Sequence, residues 1–186
     1  MDKILVPLGF KQGKVRADKD LYTTDPVAIH KLLNAEKFSS HVYEPCAGLG
    51  HISNVLKEYG YNVTSADIVQ RSFPLDKVED FLQRTELIKG DVITNPPYVL
   101  ALEFVQKALS LVTDNARVAM LLRIQFLEGI ARGEFFKTYP PKTVYVFSRR
   151  VQCLRNGERQ ERGGAMCFCW FIWQKGYKGE PTIKWL

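Results

Sequence analysis

The chain has 186 residues, of which 46% are hydrophobic, and this content is sufficient for one substantial core. No apolar run reaches the length of about 18 residues that would cross a bilayer, and no signal-peptide core follows the N-terminus, so we expect a cytoplasmic protein without membrane contact. Four cysteines fit that compartment, and a net charge of +6 with a pI of about 9.1 favours a polyanionic partner without requiring one.

The first predicted βα turn lies at residues 42–51. An apolar strand ends at Glu44, and Gly48 and Gly50 follow before a helical pattern of apolar residues begins. Glycines at such a turn allow a cofactor to approach the backbone next to the N-terminus of the helix. The third position of the dinucleotide-binding fingerprint is Ser53 instead of glycine, and this disfavours NAD and FAD.

A second predicted strand follows that helix. Gly60 indicates the end of the helix, and residues 61–67 are typical of a strand with Asp67 at its carboxyl end. An acid in this place can bind the diol of a ribose, although a loop carboxylate can also be simply solvated. Its position after the second strand favours the ribose role.

Another apolar run, residues 92–94, leads directly into Asn95, Pro96, Pro97 and Tyr98. An exocyclic or carboxamide NH2 is a poor nucleophile because its lone pair is delocalised. The side-chain carbonyl of Asn95 and the backbone carbonyl of Pro96 can each accept one amino hydrogen, which favours a pyramidal nitrogen. The prolines hold the loop rigid, and Tyr98 offers a flat face to a planar target. The pattern predicts nucleophilic attack by an amino nitrogen; a proline-rich turn is the simpler alternative.

The remaining pattern continues to alternate between helices and strands. We predict a helix at 101–111, a buried parallel strand at 116–122, a helix at 126–136, and strands at 143–147 and 165–173 that pair across a polar loop. Cys167 and Cys169 would share a face of the last strand. Buried structural thiols are favoured there over a metal site, and we expect no metal.

These residues together resemble the class I S-adenosylmethionine-dependent methyltransferases of the N6-adenine (amino) type, whose catalytic motif matches residues 95–98. The resemblance implies an α/β fold with a Rossmann-like seven-stranded sheet, strand order 3-2-1-4-5-7-6, helices on both faces and a closing β-hairpin. It also implies S-adenosyl-L-methionine as the cofactor. We expect one catalytic domain over residues 1–186, without a separate target-recognition domain.

The same resemblance implies which residues contact the cofactor. Residues 21–26 would border its methionine end, although an additional Thr-Asp before Pro26 leaves open which hydroxyl reaches it. The glycine motif would run from Glu44 to Gly50, with an acidic-aromatic pair at residues 80–81 near the adenine. The predicted cofactor-binding set is Tyr22, Thr23, Thr24, Glu44, Pro45, Cys46, Ala47, Gly48, Gly50, Asp67, Ile68, Asp80, Phe81 and Asn95.

A basic segment follows the predicted strand at 143–147. Five arginines lie between residues 149 and 162 against two glutamates, and glycines there indicate a loop or hairpin tip. Guanidinium groups in this place can neutralise phosphates, although a charged loop can also be merely solvated. A second aromatic against the target is expected at Phe147, which could equally be a core strand residue. The predicted nucleic-acid-binding residues are Phe147, Arg149, Arg150, Arg155, Arg159 and Arg162.

The resulting hypothesis is methylation of the N6 amino group of adenine in nucleic acid, with DNA preferred to RNA and with Asn95, Pro96, Pro97 and Tyr98 as catalytic residues. Little of the chain is left for base readout, so specificity would be low, encoded in short loops, or supplied by a protein partner. An RNA adenine methyltransferase, a protein glutamine methyltransferase and a catalytically silent cofactor-binding scaffold are the alternatives.

Overall fold

The computed structural model describes residues 22–151, 153–155 and 166–186. Four α-helices and ten strands are formed by these residues. In chain order they are β1 Tyr22–Thr24, α1 Pro26–Ala35, β2 His41–Glu44, α2 His51–Glu58, β3 Asn62–Asp67, β4 Lys77–Val78, β5 Asp91–Thr94, α3 Ala101–Leu111, β6 Arg117–Arg123, α4 Ile130–Thr138, β7 Thr143–Val146, β8 Cys153–Arg155, β9 Phe168–Gln174 and β10 Thr182–Trp185. Short 3-10 turns lie at Phe81–Gln83, Tyr98–Leu100 and Ile124–Leu127.

Eight of the strands form one sheet in the order β4-β3-β2-β5-β6-β9-β7-β10. Neighbouring strands are parallel except at β9, which runs antiparallel to both β6 and β7. With β2 to β7 and β9 numbered from one to seven, the order is 3-2-1-4-5-7-6, and β10 adds an eighth strand beside β7. The predicted Rossmann-like α/β fold is therefore confirmed, as is the pairing of the strands predicted at 143–147 and 165–173.

Both faces of the sheet are buried, which explains why its central strands are continuously apolar. In β5, Val92 belongs to the core on the α3 side and Ile93 to the core under α1 and α2. In β6, Met120 and Leu121 divide between the same two clusters. This alternation is the expected consequence of successive side chains pointing to opposite faces of a strand.

Helix α1 is fixed at its start by its cap and against the sheet by a tryptophan. The Asp25 carboxylate accepts the Val27 N–H at 3.0 Å, and Pro26 occupies the first helical position, where its missing N–H costs nothing. The indole N–H of the fully buried Trp170 donates to the carbonyl of Ala28 at 2.9 Å. These bonds also position β1, which directly precedes the helix.

Strand β1 pairs antiparallel with β8, with Tyr22 opposite Arg155 and Thr24 opposite Cys153. The sequence pattern around β8 indicated a polar loop, and this small second sheet was not predicted. The pairing brings the backbone of the basic segment next to the segment expected to border the cofactor.

Two element boundaries differ from the prediction. The helix expected at 126–136 begins only at Ile130, because Gly129 adopts φ +104, and a 3-10 turn precedes it. Strand β10 was not predicted: it has only four residues, all exposed, and although Ile183 and Trp185 are apolar they form no buried run of the kind that marks a core strand.

Two features are absent from the described residues. Within residues 22–151, 153–155 and 166–186, no helix is both long and apolar enough to cross a membrane. The same ranges contain no group of three His, Cys, Asp or Glu side chains suited to a metal ion. Cys169 is buried in β9, where burial raises the pKa of its thiol to about 11.

The buried carboxylate of Asp91 joins three strands at the amino edge of the sheet, and its removal should destabilise the fold. It accepts the Ser39 N–H before β2 and the Arg117 N–H of β6, each at 2.7 Å. Asp91→Ala leaves both donors without this acceptor, so we expect a loss of about 3 kcal/mol in the free energy of unfolding, measured with urea. Asp91→Asn retains one carbonyl oxygen and should lose less; a loss below about 1 kcal/mol for Asp91→Ala would contradict this role.

Candidate active site

The order of the sheet creates a crevice between β2 and β5. These strands are parallel neighbours, with Tyr43 opposite Val92, but the chain leaves β2 towards β3 and leaves β5 towards β6 on the other side. Such a reversal opens a crevice outside the carboxyl ends of the two strands, which is where ligands bind in open α/β sheets. The loop after β2 and the loop after β5 therefore flank the natural ligand site of this fold.

The loop after β2 depends on two glycines. Gly48 and Gly50 have φ of +55 and +78, a region that other residues rarely adopt. A Cβ at residue 50 would also overlap the ring of Phe73. The loop is closed by the Gly50 N–H, which donates to the Ala47 carbonyl at 2.7 Å, and α2 starts immediately afterwards. The backbone therefore turns tightly in front of a helix N-terminus, an arrangement that favours electronegative ligand groups.

The carboxylate of Asp67 holds this loop to the end of β3. Its Oδ2 accepts the Gly48 N–H at 2.9 Å, while Oδ1 accepts the Val69 N–H at 3.0 Å and the Arg71 guanidinium at 3.3 Å. Each carboxylate oxygen can accept two hydrogen bonds, and among the described residues Oδ2 accepts one, which leaves one position that they do not fill. The residue predicted to bind a ribose thus also has a structural role that the sequence did not indicate.

Glu44 lies below the loop, with only 1% of its surface exposed. Its carboxyl group accepts the hydroxyl of Ser53 in α2, and Ser53 Oγ lies 2.6 Å from Ser65 Oγ in β3. Burial raises the pKa of Glu44 from 4.5 to about 8. Glu44 is therefore held by Ser53, the residue that replaces the third glycine of a dinucleotide fingerprint, and its burial leaves almost no surface for the predicted contact with a cofactor.

The N-terminal segment lies beside the glycine loop. His51 Nδ1 is 3.1 Å from the carbonyl oxygen of Thr24, and this contact places β1 at the start of α2. Thr23 and Thr24 are buried, and Tyr22 is described by its backbone alone. The structure thus brings the two predicted cofactor-binding segments together.

Three residues complete the inner part of the loop. Pro45 and Ala47 are buried and Cys46 is half-buried. Enclosure of the Cys46 thiol raises its pKa well above the ordinary value, and the charges of Asp67 and Asp80 add to the shift. The thiol is therefore neutral.

The pair predicted to contact an adenine divides between solvent and core. Asp80 is exposed and accepts the Leu82 N–H at 3.0 Å, which caps a 3-10 turn. Phe81 is only 2% exposed, and its ring centroid lies 6.1 Å from that of Tyr43 and 5.3 Å from that of Phe104. Residue 81 can consequently offer a ligand its backbone but not its ring. Ile68, 54% exposed, is an accessible apolar side chain in this region.

The loop after β5 leaves the sheet abruptly. Asn95 is half-buried, Pro96 is buried and Pro97 is exposed. The Leu100 N–H donates to the Pro97 carbonyl at 2.9 Å, closing a 3-10 turn that leads from Tyr98 into α3. The two prolines end the strand because their nitrogens cannot donate to a ladder, and Asn95 stands at the carboxyl end of β5, beside the glycine loop of β2.

Tyr98 contacts two residues that the sequence analysis did not select. Its ring centroid lies 5.6 Å from that of Phe168, at an interplanar angle of 35°. The guanidinium carbon of Arg123 lies 4.9 Å from the centroid of the same ring. Arg123 ends β6 and is paired in register with Phe168 at the start of β9. An arginine at the carboxyl end of a buried strand was the available signal for Arg123, whereas Phe168 was hidden in the apolar run of β9.

The predicted nucleic-acid-binding residues lie at the same sheet edge where the structure describes them. Phe147 follows the carboxyl end of β7, which is parallel to β6, and it packs partly buried against the core on the α1 side. Arg149 and Arg150 follow and are exposed. Arg155 is described by its backbone in β8. Arg159 and Arg162, which were also predicted to bind nucleic acid, lie outside the described residues.

No family model matches the sequence, and no curated protein matches it. The fold is similar to that of a modification subunit of a putative type I restriction enzyme from Vibrio vulnificus, with a TM-score of 0.61 at 13% identity over 90% of this chain and 46% of that one. TrmN from Thermus thermophilus gives 0.55 at 18% identity over 81% and 48% of the two chains. A predicted O-methyltransferase from Agrobacterium tumefaciens gives 0.59 at 13% identity over 87% and 85%.

These similarities define the class of fold. The chain has the Rossmann-like architecture of class I methyltransferases. At these low sequence identities the similarity shows the fold alone. It spans about half the length of the modification subunit and of TrmN.

The raised pKa of Glu44 predicts a specific pH dependence of stability. Between pH 4.5 and about 8 the unfolded chain releases the proton of Glu44 while the folded chain keeps it, so folding is progressively disfavoured as the pH rises. Glu44→Gln removes this titration and keeps an oxygen for Ser53. The stability of the wild type relative to Glu44→Gln should fall with rising pH, at a slope approaching about 1.4 kcal/mol per pH unit. Urea unfolding across this range checks the slope, and a difference independent of pH would contradict the assignment.

Proposed function

We propose that this protein binds S-adenosyl-L-methionine in the crevice between β2 and β5 and methylates the N6 amino group of adenine in nucleic acid, preferring DNA to RNA. The observation that carries the proposal is the meeting of two loops at one crevice. One is the glycine turn after β2, and the other is the Asn-Pro-Pro-Tyr loop after β5. A cofactor site and a site for an amino group would thereby lie at the same crevice.

The residues around the glycine turn fit this cofactor. Gly48 and Gly50 keep the turn free of side chains, and Asp67 holds it while the acceptor position on Oδ2 that the described residues do not fill would accept a ribose hydroxyl. The exposed Ile68 and Asp80 would contact the adenine, and β1 would border the methionine end. When bound, the cofactor supplies a sulfonium methyl group as the electrophile.

The loop after β5 would prepare the nucleophile. The Asn95 side-chain carbonyl and the Pro96 backbone carbonyl would each accept one hydrogen of the target amino group, so that the nitrogen lone pair is directed outward. Tyr98 would stack against the base, which must leave the duplex or come from a single strand. Since the amino nitrogen becomes strongly acidic only after it has gained the methyl, water can take the proton and no dedicated base is needed. Alignment and polarisation would supply most of the rate enhancement.

Nucleic acid is the proposed partner because of the positive charge of the chain and because of the proteins whose fold is similar. The chain carries +6, and the exposed Arg149 and Arg150 stand at the carboxyl edge of the sheet where Asn95 lies. DNA is preferred since the structural neighbours include a restriction-enzyme modification subunit and a type IIG restriction endonuclease. We also propose that residues 1–186 act as one catalytic domain, with short loops or a protein partner providing any sequence specificity.

A labelling experiment tests the proposed reaction. The purified protein is incubated with labelled S-adenosyl-L-methionine and, in parallel, with duplex DNA, single-stranded DNA, structured RNA and a cell protein extract. We expect labelled N6-methyladenine in DNA. Label only in RNA would identify the alternative nucleic acid, label only in protein would reject the proposal, and cofactor binding without transfer to any of them would indicate a silent scaffold.

Asn95→Ala should abolish turnover while leaving cofactor binding intact. Asn95 was predicted both as a catalytic and as a cofactor-binding residue; here its side chain is assigned to the target amino group and not to the cofactor, so we expect at least a 100-fold loss of turnover, about the cost of removing one polarising group. Cofactor affinity, measured by calorimetry, should stay within about 1 kcal/mol. Asn34→Ala, on an exposed position of α1, is the matched control and should change neither. Loss of cofactor binding in Asn95→Ala would contradict the assignment.

Replacing Arg155, Arg159 and Arg162 together by Gln should flatten the salt dependence of DNA binding. Each phosphate contact contributes about −0.9 to the slope of log K against log salt concentration, so a loss of about two to three in the slope is expected. The control replaces Lys37, Lys89 and Lys178, exposed residues at the opposite edge of the sheet, and removes the same charge. Equal slopes in the two triple variants would show that the basic segment is only solvated.

A further inference from the structure

We propose that Arg123 forms the second wall of the target slot, so that the base is held between the ring of Tyr98 and the guanidinium of Arg123. This inference rests on the proposed function and deepens it. It assigns to an arginine the stacking role that the sequence analysis assigned to Phe147.

The backbone of Arg123 is held firmly at the catalytic edge of the sheet. Strand β6 is parallel to β5, with Met120 opposite Thr94, so Arg123 extends beyond the level at which β5 turns into Asn95. On its other side β6 pairs with β9, and the Ile124 N–H donates to the Cys167 carbonyl at 2.9 Å. The position of the Arg123 Cα is thus set by two neighbouring strands.

The side chain of Arg123 lies against the surface that a target would use. Its guanidinium carbon is 4.9 Å from the Tyr98 ring centroid, and a planar, weakly hydrated guanidinium stacks on aromatic faces. Its Nε is buried without a hydrogen-bond partner among the described residues, and no carboxylate in those residues forms an ion pair with it. The charged plane is therefore free of a competing internal anion in the described part of the chain.

The two walls of the slot differ in rigidity. Tyr98 is supported by the buried ring of Phe168, whereas Arg123 ends in a long flexible side chain. A base stacked between two planes needs them about 7 Å apart, twice a van der Waals contact of about 3.5 Å. Arg123 must withdraw by roughly 2 Å from its present contact, a shift that rotation about its side-chain bonds allows while the sheet holds its backbone.

This slot selects among the proposed substrates. A nucleobase is neutral and flat, and it presents a π-face to both walls, so that stacking on Tyr98 and on the guanidinium can act together. A glutamine carboxamide has no ring to fill the space between the walls. The cationic wall also suits a target joined to phosphates. The geometry thus favours a base in nucleic acid over a protein amide.

The test compares Arg123→Ala, Arg123→Met and Arg123→Lys with a control at the other end of the same strand, Arg117→Gln. Methyl transfer to the DNA substrate of the wild type is measured together with cofactor affinity, thermal unfolding and the salt dependence of DNA binding. We expect Arg123→Ala and Arg123→Met to raise the KM for DNA by about 10- to 100-fold, the range of losses seen when a base loses a stacking partner. Arg123→Lys should remain impaired, because lysine restores the charge without the plane. All Arg123 variants should bind the cofactor with wild-type affinity. Arg117→Gln should keep the wild-type KM for DNA.

The outcomes separate this inference from the proposed function. If the wild type methylates no nucleic acid, both the proposed function and this inference are rejected. If the wild type is active but Arg123→Ala and Arg123→Met have the same KM for DNA as Arg117→Gln, the stacking role of Arg123 is rejected and the proposed function stands. Full recovery in Arg123→Lys would show that charge, not stacking, is the contribution, and this too overturns the inference. Arg123→Met retains side-chain bulk and keeps the test valid where Arg123→Ala unfolds.

Discussion

One hydrogen bond anchors the crevice on which every proposed step depends, the bond from the Gly48 N–H to the Asp67 carboxylate. Parallel strands bring their carboxyl ends to one edge, but they do not by themselves determine the shape of the loops that follow. The turn after β2 needs two residues with positive φ, which glycine supplies without strain, but ordering two glycines costs more conformational entropy than ordering other residues. Asp67 supports the turn from the neighbouring strand and also accepts from Arg71. The loop is therefore placed relative to β3 as well as to β2, and this fixes the β2 side of the crevice.

Glu44 and Asp67 show how environment separates two nearby acids. Glu44 is enclosed below the loop, and burial, with repulsion from Asp67, raises its pKa to about 8. A protonated Glu44 can take part in the buried hydroxyl cluster of Ser53 and Ser65 without bringing a second negative charge under the turn. Asp67, at the crevice, accepts three hydrogen bonds from loop residues. One acid fastens the helix to the sheet while the other shapes the site.

Local signals in the sequence predicted the parts of this protein that depend on neighbouring residues. The glycine turn, the end of β5 at a double proline and the apolar β6 all follow from short patterns, whereas the Rossmann-like sheet and its strand order were implied by the family resemblance that these motifs carry. Roles that depend on strand register could not be obtained in this way. Arg123 and Phe168 both contact Tyr98 only because β6 and β9 pair with these two residues in register. Strand β1 likewise pairs with β8, a strand that is far from it in the sequence. At Phe81 the residue was visible in the sequence, but its burial against Tyr43 and Phe104 was not.

Charge is divided across the crevice in a way that fits the two proposed substrates. Acidic groups, Asp67 and Asp80, lie at the β3 and β4 side, where a cationic cofactor would sit. Basic groups, Arg123, Arg149 and Arg150, lie at the β6 and β7 side, where a polyanion would arrive. Asn95 stands between them at the end of β5, the strand next to the reversal of the sheet. Opposite charges at the two sides favour each substrate in its own half and disfavour the reverse placement. Under the proposed function, this arrangement would help to orient both substrates towards Asn95.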